Sequence, residues 1–486
     1  MFSNLTSKNS TSFPNPDLPE SKIFTSFDFV HLFKNIINNW RNLKNLDKTF
    51  VYPDFDNFDV IRHAKYNDVK CMYEQEKDLV VKKAFKLNHK TVYPNNFERQ
   101  KVFIADNICN FSTIAALNDF GFKDTASFLE VIRHWWDIVS NTSILRGKIK
   151  RNEYCDPISK TNHFSVNFLR KFVTWVEAWY KLENNNGRLT HDTYSALCHS
   201  TTVLLEIIEY SFSKFDLSYI LPGKFTTEKL EKRFGKYRLL GGCNYNVSFD
   251  DILNAEKKIR LKHIFRSAAD GNFSLAGFKK QGDSCIQEND LDWTMSQNNY
   301  TEIFLFLLET EYLNEYKIDK SVQIYIAGYA THKIVKKNNN CNICFSFLVE
   351  SKGNLIDDEY FDCLQRGGLK VPTNIVKDVL FHMCAIFEKI INDPATESEF
   401  LKMTNQKAIL CDLTNLSTRQ HEGFNDLCSQ CICGNENKNM FIMMCSIFSN
   451  ILLNNYGKKR NNKNATEKSE KAESKNKKRK LDTFNK

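Results

Sequence analysis

The sequence predicts a mostly α protein, and three observations predict it. Apolar residues recur at helical spacing through a long central stretch, about Asn45 to Tyr219, and again from about Tyr300 to Tyr456. One short run, Lys22 to Phe27, carries the Ile, Phe and Thr content of a strand. Hydrophobic residues make up 42% of the 486 residues and Phe alone contributes 39, enough for substantial cores in two or three domains.

Taken in order, residues 1–19 are polar and proline-broken, without the apolar region of a signal peptide, and are expected to lack order. Residues 20–44 hold the strand-like run and then a helix pattern in which Val30, Phe33, Ile36, Ile37 and Trp40 are apolar. Asp28 sits between the two. A carboxylate there serves either as a strand-end group aimed at a metal or as a helix N-cap. Residues 45–220 form the helical stretch, with helix periods over Tyr66–Leu87, Glu98–Phe120, Asp124–Asn141, Asn167–Glu183 and Thr193–Phe212. Trp135, Trp136, Trp175 and Trp179 fall on its apolar faces. They suit a helix-packing core better than a platform for bases.

Residues 221–266 open with a Pro222-Gly223 turn. Thr226 or Thr227 caps a helix containing Glu228, Leu230, Glu231 and Phe234. Lys232, Arg233, Lys236 and Arg238 surround its two carboxylates. Such a helix suits a metal site facing a polyanion, and it equally suits a solvated face of mixed charge. Residues 267–299 carry turn residues and read as a linker; 300–457 read as a C-terminal helical domain.

The net charge of +9 is uneven. From Lys458 to Lys486 there are twelve Lys or Arg against four Asp or Glu, so the rest of the chain is close to neutral. Residues 458–486 are expected to form a disordered basic tail that holds DNA without sequence preference. Within the tail, Lys475, Lys477, Lys478, Arg479 and Lys480 have the density of a nuclear-import signal, which places the protein in the nucleus. No stretch approaches the length of a membrane helix; the best candidate, Met440 to Leu453, reads as a buried helix.

Fifteen cysteines, without a secretory signal, read as free thiols in a reducing compartment. Cys341 and Cys344 form a CxxC pair, and with Cys428 and Cys431 they could complete a tetrahedral Zn²⁺ site; His421 and Cys433 lie nearby in sequence. The other reading is a set of unrelated buried thiols.

The string LPGKFTTEKLEKRFGKYRLLGGCNYNVS, Leu221 to Ser248, resembles the C-terminal part of P-element-type DNA transposases. Glu231 takes the place of that family's catalytic glutamate, and Glu228 stands where an Asp is usual. FDFVHLFKNIINNW, Phe27 to Trp40, resembles a second family segment, with Asp28 at a catalytic aspartate and Ile37 where Arg is usual. QIYIAGYATHKIVKK, CNIC and CLQRGGLKVP resemble its C-terminal region.

The resemblance implies an RNase H-like α/β fold split by a large helical insertion domain and followed by a helical C-terminal domain. It implies Mg²⁺ at Asp28 and Glu231, DNA as partner, a homo-oligomer, and GTP in the insertion, although no GxxxxGK[ST] loop is present. The family uses three carboxylates to hold two ions about 3.5–4 Å apart. Its first Asp and its THAP-type zinc module have no counterpart before Asp28. The expectation is therefore a transposase fragment that cannot cut DNA alone, or a non-catalytic nuclear protein derived from one. Asp28 and Glu231 are expected to lie together.

Overall fold

The computed structural model describes residues 11–42, 47–182, 187–242, 246–269, 304, 316–337, 342–350, 358–418 and 440–461. The chain divides into two units, Met1–Gly223 with Gln297–Lys486, and Lys224–Ser296. Both are mostly α, as the helical periodicity requires.

The first unit is built outward from helix α1, Phe29–Trp40, in which Leu32, Phe33, Ile36, Ile37 and Trp40 are buried along one face. Ahead of it, β1 (Ser12–Pro14) pairs antiparallel with β2 (Lys22–Phe24). Two expectations change here. Residues 12–14 are a strand rather than an unordered segment. The strand expected over Lys22–Phe27 stops at Phe24, because the next amides turn to other acceptors: Thr25 N–H donates to Thr11 O at 3.0 Å and Phe27 N–H to Ser200 Oγ at 2.9 Å.

An antiparallel hairpin follows, β3 (Thr49–Pro53) with β4 (Ile61–Lys65), pairing Phe50 with Ala64 and Tyr52 with Arg62. The helical reading of the central stretch did not include it. Phe50 and Tyr52 alternate inward at the two-residue period of a strand. They enter an aromatic core with Trp40, Phe128, Trp175 and Trp179, in which Phe50 and Trp179 have ring centroids 4.9 Å apart. Trp40 Nε1 donates to Ala64 O at 2.9 Å and Trp175 Nε1 to Pro53 O at 2.6 Å, so both indole N–H groups are satisfied in the interior.

Helix α2, Tyr66–Glu76, is shorter than the helix expected over Tyr66–Leu87. The buried Glu76 carboxylate accepts from the amides of Lys83 (2.9 Å) and Ala84 (3.1 Å), folding the chain back after one helix instead of letting it continue. Then come α3 (His89–Val92), α4 (Val102–Ile108), α5 (Phe111–Asp119), α6 (Lys123–Val139) and α7 (Arg146–Lys150). Strand β5, Ile158–Ser159, pairs with β6, Tyr219–Ile220, across α8 (Phe164–Lys181) and α9 (His191–Lys214). Trp135, Trp175 and Trp179 are almost wholly buried and Trp136 is 7% exposed, so these residues are core. The sheets among the described residues are three antiparallel pairs.

The C-terminal helices belong to the same unit. They are α12 (Lys320–Lys337), α13 (Asn342–Leu348), α14 (Glu359–Gln365), α15 (Asn374–Asn392), α16 (Pro394–Lys402), α17 (Gln406–Thr418) and α18 (residues 440–461). Asp393 caps α16, accepting from Thr396 N–H at 3.0 Å, with Pro394 at the first helical position where its missing N–H is harmless. Tyr360 of α14 donates to Lys83 O at 2.8 Å, and Lys83 pairs with Asp119 and, at 2.7 Å, with Asp319. Helix α18 runs through residue 461, so Lys458–Arg460 are helical rather than the start of an unordered tail.

The second unit holds α10 (Glu228–Leu240) and α11 (Phe249–Ala269), which pack on each other. Residues 267–269 continue α11, beyond the expected start of the linker. Gly242, at φ +80°, follows the end of α10 in a left-handed conformation that a side chain would strain.

Candidate functional site

Asp28 occupies the N-cap of α1. Its Oδ1 accepts from Val30 N–H at 2.6 Å, satisfying one of the amides that a helix start leaves open. The cap is braced by α9, where Ser200 accepts from Phe27 and His199 Nε2 meets Thr25 O at 2.8 Å. His31 is exposed one turn into α1. Ile37, where the resembling pattern has Arg, is fully buried. Here that position serves the core.

On α10, Thr227 is the N-cap residue and its Oγ1 donates to Glu231 Oε1 at 3.5 Å. Glu228 pairs with Lys232 one turn along, 2.6 Å apart and both well exposed. Arg233 behaves differently from its basic neighbours. Its Nε and Nη2 donate to the two oxygens of Glu256 on α11 at 2.8 and 2.5 Å, and Tyr237 hydroxyl donates to the same carboxylate. These bonds hold the Glu256 carboxyl below its ordinary range, with Arg233 the larger cause, and raise Arg233 further. Arg233 therefore joins the two helices, whereas Lys232, Lys236 and Arg238 are exposed along α10.

Asp28 belongs to the first unit, and Glu228 and Glu231 to the second. Among the described residues, no group of three or more His, Cys, Asp or Glu side chains is arranged to hold a metal ion. Asp28 has one oxygen engaged as a cap, and Glu228 is paired with a lysine. Cys341, the Cys344 side chain, His421, Cys428, Cys431 and Cys433 lie outside the described residues, as do Lys475, Lys477, Lys478, Arg479 and Lys480. The described cysteines are free, and burial pushes the Cys155 and Cys363 thiols up to about 11.

The first unit contains a polar focus that the sequence reading missed. Asp137, wholly buried on α6, accepts from Arg133 Nη2 at 2.6 Å and Nε at 3.0 Å, from Asn152 Nδ2 at 2.9 Å and from Arg146 Nη2 at 3.4 Å. Arg133 also reaches Asp106 at 2.7 Å. Burial, the largest single effect, would raise the Asp137 carboxyl; the attraction and hydrogen bonds of Arg133, with the charges of Lys150 and Arg146, together outweigh it and hold the group below its ordinary range. Arg133 and Asp137 are an i, i+4 pair, the spacing that could have revealed them.

Beside this network the RGG turn of CLQRGGLKVP docks. Arg366, left-handed at φ +42°, lies 3.7 Å over the Phe111 ring and donates to Lys150 O at 3.3 Å. Gly328 of α12 lies so close to the same segment that a Cβ would sit 2.8 Å from Lys370 O. Two of the family-like C-terminal strings therefore meet in space, and one of them seats on α5 and α7.

No protein-family model matches the chain, and no curated protein matches it. Among solved structures it is similar to the Drosophila P element transposase strand transfer complex, at 17% identity and a TM-score of 0.44, over 52% of this chain and 55% of that one. The chain thus spans about half the length of that protein.

Proposed function

We propose that this is a DNA-binding protein of P-element-type transposase descent that neither cuts nor joins DNA as this chain alone. The observation that carries the reading is the string Leu221–Ser248. Its residues resemble the transposase pattern, and its helix exposes Lys232, Lys236 and Arg238 in a segment, 224–261, with nine Lys or Arg against five Asp or Glu. Closely spaced cations on an exposed helix displace counterions from a phosphate backbone and bind it without reading its sequence. The basic residues after 461 add to that affinity, and Lys475–Lys480 direct the protein to the nucleus. By the same descent, Asp28, Glu231 and Glu228 are the acids offered to Mg²⁺, and GTP is assigned to the insertion. Zn²⁺ on Cys341, Cys344, Cys428 and Cys431, and a homo-oligomer, belong to the same reading.

The test is fluorescence anisotropy of a labelled duplex over a salt series. A chain ending at Asn461 should still bind, more weakly and with a shallower salt slope. Adding Lys236→Glu and Arg238→Glu should lower its affinity at least tenfold and reduce the slope by about one unit per lost contact. Unchanged affinity in that double variant would remove α10 from the DNA interface. Mg²⁺-dependent strand transfer by the wild-type chain, lost in Glu231→Ala, would overturn the non-catalytic half of the reading.

A further inference from the structure

A cavity of about 210 Å³ opens between the segment that follows α2 and the last turn of α18. Four lysines line it: Lys82 and Lys86 from the first segment, Lys458 and Lys459 from the helix. Residues far apart in sequence thus bring four lysine side chains to one space, with no carboxylate among the described residues that line it. The buried Glu76 has both oxygens committed to the amides of Lys83 and Ala84, and the half-buried Glu388 feels the charge of Lys459.

Lys82 is the most informative of the four. Its Nζ donates to Lys77 O at 2.8 Å and lies 5.8 Å from the Tyr73 ring centroid, and among the described residues it forms no ion pair. Lys459 Nζ donates to the backbone carbonyl of Asp78, which fixes its stem beside the cavity without neutralising its charge. Val80 and Leu87 supply apolar wall, and Asn88 and Asn455 supply neutral polar groups.

Partly desolvated cations held together are unfavourable unless an anion joins them, and a low-polarity wall strengthens that attraction. Burial, with the repulsion of Lys459, lowers Lys82 to about 8 despite the opposing fields of Glu76 and Asp78. Several lysines lining one compact space, each with N–H groups left to donate, suit the multiple acceptor oxygens of a phosphoryl group. The volume is below the roughly 300–1,000 Å³ of ordinary small-molecule sites, so it admits a phosphoryl or pyrophosphoryl group and not a whole nucleotide.

We propose that this cavity is a phosphoryl-binding site, with Lys82 and Lys459 as its inner ligands and Lys86 and Lys458 at its rim. The site is independent of α10 and does not require the DNA-binding reading. The phosphoryl group belongs either to a small phosphate ester or to a nucleic-acid backbone, and both present the same oxygens.

The full chain is titrated with pyrophosphate at constant ionic strength by calorimetry, with chloride as control. Saturable binding near one equivalent is expected, weakened at least tenfold by Lys82→Gln and a few-fold by the rim change Lys458→Gln, which leaves the fold's interior untouched. Affinity should fall as pH rises past about 8, where Lys82 loses its proton. Glu76 at the end of α2, Asp78 just after it and Lys459 from α18 set the field at that group, and Lys86 and Lys458 are the other charged residues lining the cavity. A short duplex that displaces pyrophosphate would assign the phosphoryl group to nucleic acid; a duplex that binds without displacing it would assign it to a small ester. Lys236→Glu should leave pyrophosphate binding unchanged. No saturable response beyond chloride, or equal affinity in wild type, Lys82→Gln and Lys458→Gln, would overturn the site.

Discussion

The first unit gathers large aromatic side chains into a buried core, whereas the α10–α11 hairpin leaves most of its large apolar side chains exposed. Trp40, Phe50, Trp135, Trp175 and Trp179 are at most 1% exposed in the first unit. On α10 the one buried residue is Tyr237, while Leu230, Leu239 and, at the start of α11, Phe249 are 62%, 68% and 73% exposed. The hairpin is also where the sequence carries its longest specific string. Packing therefore accounts for the residues of the first unit and leaves most of the hairpin's unexplained. Among its charged residues, Arg233 and Glu256 tie the two helices together, whereas Lys232 makes only a surface pair with Glu228.

The contrast is broken most directly in the aromatic core. Trp175→Ala removes a ring that touches Tyr52, Phe55, Phe172 and Trp179 and strands the Pro53 carbonyl that its indole N–H satisfies. The expected loss is about 3–5 kcal/mol, the range for a large aromatic truncated to Ala in a core. Calorimetric unfolding should show a markedly lower transition temperature. A transition within a degree or two of wild type would mean that the core repacks around the gap.

The buried Asp137 network tests the same contrast through electrostatics. Asp137→Asn keeps the volume but removes the charge that Arg133 and Arg146 face, and turns an amide N–H₂ toward donors. Leaving Arg133 with Asp106 alone should cost about 3 kcal/mol. The folded-state carboxyl is depressed, so its stabilisation is fully present above the ordinary carboxylate value of about 3.9 and is lost as pH falls below that value through the folded one. As pH falls below about 4 the wild type should therefore lose stability more steeply than Asp137→Asn. Parallel acid-unfolding curves would show that another acid dominates.

How much of this was legible in the sequence depends on how local the cause is. Helices α6, α8 and α9 lie close to where periodicity places them, because an apolar face repeats within each one. Asp28 is readable as a cap from its own neighbourhood. The β3–β4 hairpin is not, since the inward alternation of Phe50 and Tyr52 spans only five residues. The end of α2 is hidden too: a carboxylate at Glu76 captures amides seven and eight positions on, which no window pattern reports. The four-lysine cavity joins residues more than 370 positions apart, and residues 458–461 read as tail until α18 is seen to carry them.

The smallest expected effect lies on the hairpin, where it sharpens the comparison most. Phe234 is 44% exposed and its main contact is the edge of the Tyr237 ring, with centroids 5.6 Å apart. Phe234→Ser removes little buried area, so the change in unfolding free energy should stay within about 0.5 kcal/mol, the usual range for exposed sites. The informative readout is the pair of this variant with Tyr237→Phe, which keeps the ring but deletes the hydroxyl bonded to Glu256. If the hairpin is held by the Arg233–Glu256–Tyr237 bonds rather than by its apolar residues, Tyr237→Phe should speed amide hydrogen exchange along α10 and Phe234→Ser should not. Faster exchange in Phe234→Ser with none in Tyr237→Phe would reverse the assignment, making the hairpin a small version of the first unit's core instead of a surface held by one charged clasp.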